Sequence, residues 1–169
     1  MKSSVRFGWM LLGSCALALW AGTAAAQTAD IRVQQAIPFA PGSGATQAVI
    51  DRCELQTRLP SYLREASSRI ELVDGPVGAR GRVLDLKISS VRAPGGGVFS
   101  GRKWLTVTGS LRANGREIGS FTASRHSVGG AAGVFIGNCG ILNRAARVLA
   151  QDIATWLEAP TKGARLGDA

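Results

Sequence analysis

Histidine and paired cysteine are almost missing from this chain, and most metal chemistry goes with them. Its 169 residues hold one histidine, His126, and three cysteines at 15, 53 and 139, with no Cys-x-x-Cys and no His-Glu-x-x-His. A zinc site cannot be assembled from that set of donors. Runs of basic charge are missing too. Lys and Arg number 20 against 11 Asp and Glu, for a net charge of +9, yet no basic run exceeds the pair Arg102-Lys103. A dispersed excess keeps a protein soluble and biases it toward anionic surfaces, but it is not a nucleic-acid footprint. The glycine-rich stretch Gly133 to Gly140 lacks the Lys and Ser/Thr that hold phosphate and magnesium, so it reads as a connection and not as a nucleotide loop. No cofactor is expected, and no internal repeat is visible.

No apolar run is long enough to span a bilayer. The longest, Phe7 to Trp20, is broken by Gly13, Ser14 and Cys15 and falls short of the roughly 18 to 20 residues a spanning helix needs. With Lys2 and Arg6 before it and Ala24-Ala25-Ala26 after it, residues 1–26 read as a cleaved export signal, with the mature chain starting at Gln27. Leu12-Gly13-Ser14-Cys15 resembles a lipobox, so acylation at Cys15 and tethering to the outer membrane is the alternative to a free periplasmic protein. Losing 26 residues and two positive charges from a chain of 169 at +9 leaves 143 residues at +7, one domain with room for a core. Its remaining cysteines, Cys53 and Cys139, are most simply a disulfide in an oxidising compartment.

Apolar patterning predicts the order of elements. Residues 30–39 read as a strand, and Pro41-Gly42-Ser43-Gly44 turns the chain into a helix from Thr46 with Val49, Ile50 and Cys53 on one face. Pro60 is expected to interrupt it and to open a second short helix to Ser67, followed by a strand over 69–73. From Arg82, Leu84, Leu86 and Ile88 alternate with Asp85, Lys87 and Ser89, and Leu105, Val107 and Leu111 alternate with Trp104, Thr106, Thr108 and Ser110.

Asn114-Gly115 joins that strand to another over 116–126. A two-residue turn would mix polar and apolar side chains on both faces. A three-residue loop, Ala113-Asn114-Gly115, instead sets Val107 against Phe121 and Leu105 against Ala123. Asn138 is the expected cap of a last helix whose stripe is Leu142, Ala145, Leu149, Ile153 and Trp156, and Pro160 stops it. The domain is expected to end at 159, with 160–169 a disordered tail. The sum is an α+β two-layer sandwich: a mostly antiparallel five-stranded sheet with two main helices on one face.

The path from Arg82 through the hairpin into the glycines and the closing Asp152-Ile153-Ala154-Thr155-Trp156-Leu157 resembles small exported bacterial envelope proteins of uncharacterised function. These are similar in layout to lipoproteins that assist secretion channels such as the curli exporter. The resemblance implies an envelope accessory role and carries over no site residue.

Three sets of residues invite a functional reading. Trp104, Thr106, Thr108, Thr122, Ser124 and His126 share the polar sheet face, where an aromatic among hydroxyls suits a sugar or a partner protein, unless Arg125 or a loop caps the ring. Ser124 and His126, with Asp85 on the same face, nominally supply nucleophile, base and orienter for a hydrolase, but Ser124 lies mid-strand and lacks a Gly-x-Ser-x-Gly elbow. Val134-Phe135-Ile136, framed by glycines, is a third set, as a contact patch. The sequence therefore points to a non-catalytic binding or assembly module of the envelope. Its expected partner is an envelope protein or an anionic or glycan component, and neither nucleic acid nor a membrane span is expected.

Overall fold

The computed structural model of the chain describes residues 29–94, 101–127 and 130–169, and for 130–136 the backbone alone. The export segment 1–26 with Cys15, and the side chains of Val134, Phe135 and Ile136, lie outside the described residues. The elements are β1 (Ile31–Gln34), α1 (Gln47–Cys53), α2 (Leu55–Ala66), β2 (Ile70–Val73), β3 (Arg82–Arg92), β4 (Lys103–Ala113), β5 (Arg116–Ser127), α3 (Gly130–Glu158) and β6 (Ala164–Gly167). They build a two-layer α+β sandwich on one sheet of order β2-β1-β3-β4-β5-β6.

The sheet has six strands and is mixed, where five mostly antiparallel strands were expected. The long strands β3, β4 and β5 pair antiparallel, while β1 runs parallel to β2 and β3, and β6 runs parallel to β5. Parallel neighbours need a crossover, and α1 with α2 supplies it between β1 and β2. The segment expected as one strand over 30–39 is broken: after Gln34 the chain bends, then rejoins β3 where Ile88 N–H donates to Pro38 and Ala40 N–H donates to Ile88.

The core lies between one face of this sheet and the helices. Leu84, Leu86, Ile88, Leu105, Val107, Leu111, Phe121 and Ala123 meet Leu55, Leu59 and Leu63 of α2 and the expected stripe of α3, all buried. Pro60 does not interrupt its helix, because α2 runs through it. A proline inside a helix leaves the carbonyl four residues earlier without its donor. Here that carbonyl, on Gln56, accepts from Ile37 N–H at 3.0 Å, so the loop after β1 replaces the missing bond. The break between α1 and α2 falls instead at Glu54, at φ 50°. In α3 the non-helical residue is Gly137, at φ 66° and ψ 173°, one before the expected cap. Asn138 donates to the Ala93 carbonyl at 3.4 Å.

The hairpin solves the phase problem differently from the three-residue loop. Asn114 and Gly115 both have positive φ, as a two-residue type I′ turn requires, and Ala113 faces Arg116. The extra residue is Ile118 on β5, which has no partner between the Arg112–Glu117 and Leu111–Gly119 pairs. Past this bulge Val107 faces Ala123, Leu105 faces Arg125, and Phe121 faces Gly109. The faces are those expected, but the pairing is two residues away. Phe121 fixes it, since a Cβ at Gly109 would sit 2.4 Å from the Phe121 ring.

The C-terminal residues are not a disordered tail. β6 extends the sheet, with Phe121 to Ser124 paired to Ala164 to Gly167, and Ala164 and Leu166 pack against the core. Cys53, at the end of α1, and Cys139, in α3, are joined by a disulfide across 86 residues.

Two stability measurements check this architecture. Removing the bridge (Cys53→Ala with Cys139→Ala) is expected to lower the unfolding free energy by about 4 kcal/mol, the unfolded-chain entropy of a loop that long. An unchanged denaturation midpoint would count against that account. Gly109→Ala is expected to cost about 1 to 3 kcal/mol by overpacking against Phe121, with the loss recovered when Phe121 is shortened to Leu.

Candidate functional site

The register of β3, β4, β5 and β6 lays the polar face out in straight cross-strand rows. Arg92, Trp104 and His126 form one row, and Ser90, Thr106, Ser124 and Gly167 the next. Lys87, Thr108, Thr122 and Arg165 form a third, followed by Asp85, Ser110 and Ser120. All six residues expected on one face, from Trp104 to His126, are therefore brought together as three directly paired couples. The helices pack on the opposite face, so among the described residues this one is open.

Ser90 and Arg92 reach the open face because β3 carries its own bulge. The pairing steps from Ile88–Val107 to Ser90–Thr106, leaving Ser89 as the extra residue. Uninterrupted alternation would turn Arg92 inward. The signal was present in the sequence as Val91, an apolar residue three after Ile88 and so out of phase with it.

Trp104 is half-buried and held on three sides. Its indole N–H donates to Ser90 Oγ at 3.1 Å, the Arg92 guanidinium lies 5.0 Å from the ring centroid, and the His126 ring meets it edge-on at 6.1 Å. The cap is Arg92. Arg125 points to the other face, where it forms a bidentate pair with Asp152 of α3 at 2.9 Å and a further contact with Asp168 at 3.2 Å.

Ser124, His126 and Asp85 do not form a hydrolytic triad. The buried Ser124 hydroxyl lies 3.0 Å from Thr106 Oγ1, and Asp85 is ion-paired with Arg112. His126 Nδ1 lies 3.5 Å from Asp168, a residue expected in a disordered tail. Asp168 also accepts from the His126 backbone N–H at 2.9 Å, and this bond, with Arg125 behind it, holds its carboxyl below the usual carboxylate range. Among the described residues no three His, Cys, Asp or Glu side chains gather as a metal site, and no helix is long and apolar enough to cross a membrane.

Two shallow grooves border the rows. One of about 420 Å³ lies between the Gly42-Ser43-Gly44 turn and Ser90, Arg92 and Trp104. The other, about 430 Å³, is lined by Gln34, Pro38, Asp85, Lys87, Thr108 and Arg112.

No family model and no curated protein matches the chain. Among solved structures it is similar to the PelC dodecamer from Paraburkholderia phytofirmans, at 12% identity over 73% of this chain and 86% of that one, with a TM-score of 0.47. It is also similar to a protein from Xanthomonas campestris, at 12% over 78% and 85% with a TM-score of 0.45. A minor lipoprotein from Acinetobacter baumannii matches at 19% over 78% and 92%, with a TM-score of 0.40. At these identities no residue and no role passes from those proteins to this chain.

Acid should loosen this end of the sheet. Because the carboxyl of Asp168 is held below its usual value of 3.8, its contribution is complete above that pH and fades as pH falls through the lower folded value. Asp168→Asn is expected to speed amide exchange in β6 at neutral pH and to remove this acid response. Gly167→Ala should release β6 outright, because Gly167 stands at φ 71° and a Cβ there would sit 2.4 Å from the Ser124 carbonyl oxygen. Equal exchange in both variants and the parent would refute the pinning role.

Proposed function

We propose that this chain is an exported, non-catalytic binding or assembly module of the bacterial envelope that uses its open sheet face as the contact surface. The carrying observation is Trp104. An indole anchored through its N–H, capped by Arg92 and met edge-on by His126, keeps part of its surface exposed in a rigid, amphipathic arrangement at low entropic cost, and paired hydroxyls extend beside it. The hydrolase alternative, with Ser124 as nucleophile and His126 as base, has less support, because the Ser124 hydroxyl is occupied by Thr106 and the acid beside His126 serves β6.

Export rests on residues 1–26, with the mature domain running from Gln27 and including β6. Periplasmic release after Ala26 is favoured over acylation at Cys15, because cutting at Cys15 would leave Ala16 to Trp20 as an apolar start to the mature chain. Intact mass of the unreduced protein from its own cells separates the two. The expected mass begins at Gln27 and lacks two hydrogens, whereas an acylated mass beginning at Cys15 would make it a tethered lipoprotein.

The surface itself is tested by co-sedimentation with isolated envelope fractions. Trp104→Ala is expected to weaken binding about thirtyfold, the scale of losing an aromatic anchor worth roughly 2 kcal/mol. Unchanged sedimentation would remove the open face as the contact surface.

A further inference from the structure

The open face combines a hydroxyl floor with unneutralised positive charge at its borders. The floor consists of Thr106, Thr108, Thr122 and Ser124, two couples paired across β4 and β5. Lys87 and Arg165 end the Thr108–Thr122 row on either side, and Arg92 stands two rows along β3 from Lys87. With strands about 4.8 Å apart and rows about 7 Å apart, these three cations frame an area roughly 14 Å on a side.

None of the three has an acidic partner among the described residues. The neighbouring acids are engaged elsewhere: Asp85 with Arg112, Glu117 with the Ser110 hydroxyl at 3.0 Å, and Asp168 with Arg125 and the His126 backbone. Arg165 points to this face because Ala164 and Leu166, its neighbours on β6, pack on the core. The face is thus locally positive, in a chain that is already positive overall at +9.

We infer that the open face binds an acidic polysaccharide, a chain of sugars bearing carboxylates, laid over the hydroxyl floor between Trp104 and the Lys87–Arg165 row. This deepens the binding role proposed above and rests on it. Charge complementarity selects the occupant. Lysine and arginine reach out to carboxylates, the Thr108 and Thr122 hydroxyls exchange hydrogen bonds with sugar hydroxyls, and the exposed part of the half-buried indole offers apolar surface to a pyranose ring. A protein partner would want an apolar centre, and a bilayer would want several apolar side chains to insert. Trp104 is the one large apolar side chain in these rows.

The test is titration calorimetry of the exported, mature protein with oligogalacturonate, its methyl ester, neutral dextran, and phosphatidylglycerol vesicles. Oligogalacturonate should bind and lose affinity as salt rises, because the framing charges are exposed and screened. The methyl ester, prepared from the same chain and tested on the unaltered protein, should bind at least about tenfold more weakly, equivalent to about 1.4 kcal/mol. Lys87→Gln with Arg165→Gln, which leaves Trp104 and Arg92 in place, should cause a similar loss for the acid and little for the ester. Equal binding of acid and ester, no effect of the double variant, or binding to vesicles in place of the glycan would each overturn the inference. Envelope sedimentation that depends on Trp104 without oligogalacturonate binding would also overturn it while leaving the broader role intact; sedimentation indifferent to Trp104 would instead remove that role.

Discussion

Among the described residues the helices cover one face of the central sheet, and the long strands keep nearly all their apolar side chains on that face. A single residue out of phase turns a whole strand inside out, because side chains alternate with a period of two. Two bulges meet this constraint. Ser89 in β3 brings Val91 back to the core after Ile88, and Ile118 in β5 lets a tight two-residue turn coexist with Val107 facing Ala123. The same two residues set the open face. Ser89 delivers Ser90 and Arg92 to Trp104, and Ile118 sets Thr106 opposite Ser124 and Thr108 opposite Thr122.

The shorter strands are held by charge as well as by pairing. Asp30, just before β1, accepts a bidentate pair from Arg69 at 2.9 Å and a contact from Arg82 at 3.0 Å, while Arg69 also donates to the Leu157 carbonyl near the end of α3 at 3.1 Å. One carboxylate therefore draws together the starts of β1, β2 and β3, and the hydrogen bond from Arg69 is the chief reason its carboxyl is held below the usual range. At the other edge Arg125 plays the matching part, joining α3 through Asp152 to β6 through Asp168. The disulfide secures α1 to α3, so both ends of the helical layer are fixed to the chain beneath.

Local signals were legible wherever a residue's partners lie within its own element or the next. The alternation of β3 and β4 and the stripe of α3 follow from spacing, whereas the pairing of Cys53 with Cys139, 86 residues apart, was expected from the cysteine count and an oxidising compartment and not from local pattern. What escaped was set by distant partners. Pro60 looked like a helix stop because its answer, the Ile37 N–H, is 23 residues earlier in the chain. Ala164 to Gly167 looked like a polar tail because four residues with one leucine carry little pattern, and its strand exists through hydrogen bonds to β5. The six hydroxyl, aromatic and histidine positions of the open face were found by alternation alone, but Arg92 was hidden by a bulge and Arg165 by the missed strand.

These two omissions also change what the face means. Without Arg92 and Arg165 it is a hydroxyl surface with one tryptophan and the single cation Lys87, a common enough outcome for an antiparallel sheet with a wet side. With them it has fixed positive borders on rigid strands. The cost of organising it is met in folding: the indole is already oriented by Ser90, and the hydroxyls already sit in register. A ligand need not order a loop to meet them. β6 is then more than an edge, since it carries Arg165 to the border of the floor and Asp168 to the backbone of His126. Anything that frees the last six residues removes a cation from the face and a restraint from the ring beside Trp104, which couples the integrity of the C-terminal strand to the surface it frames.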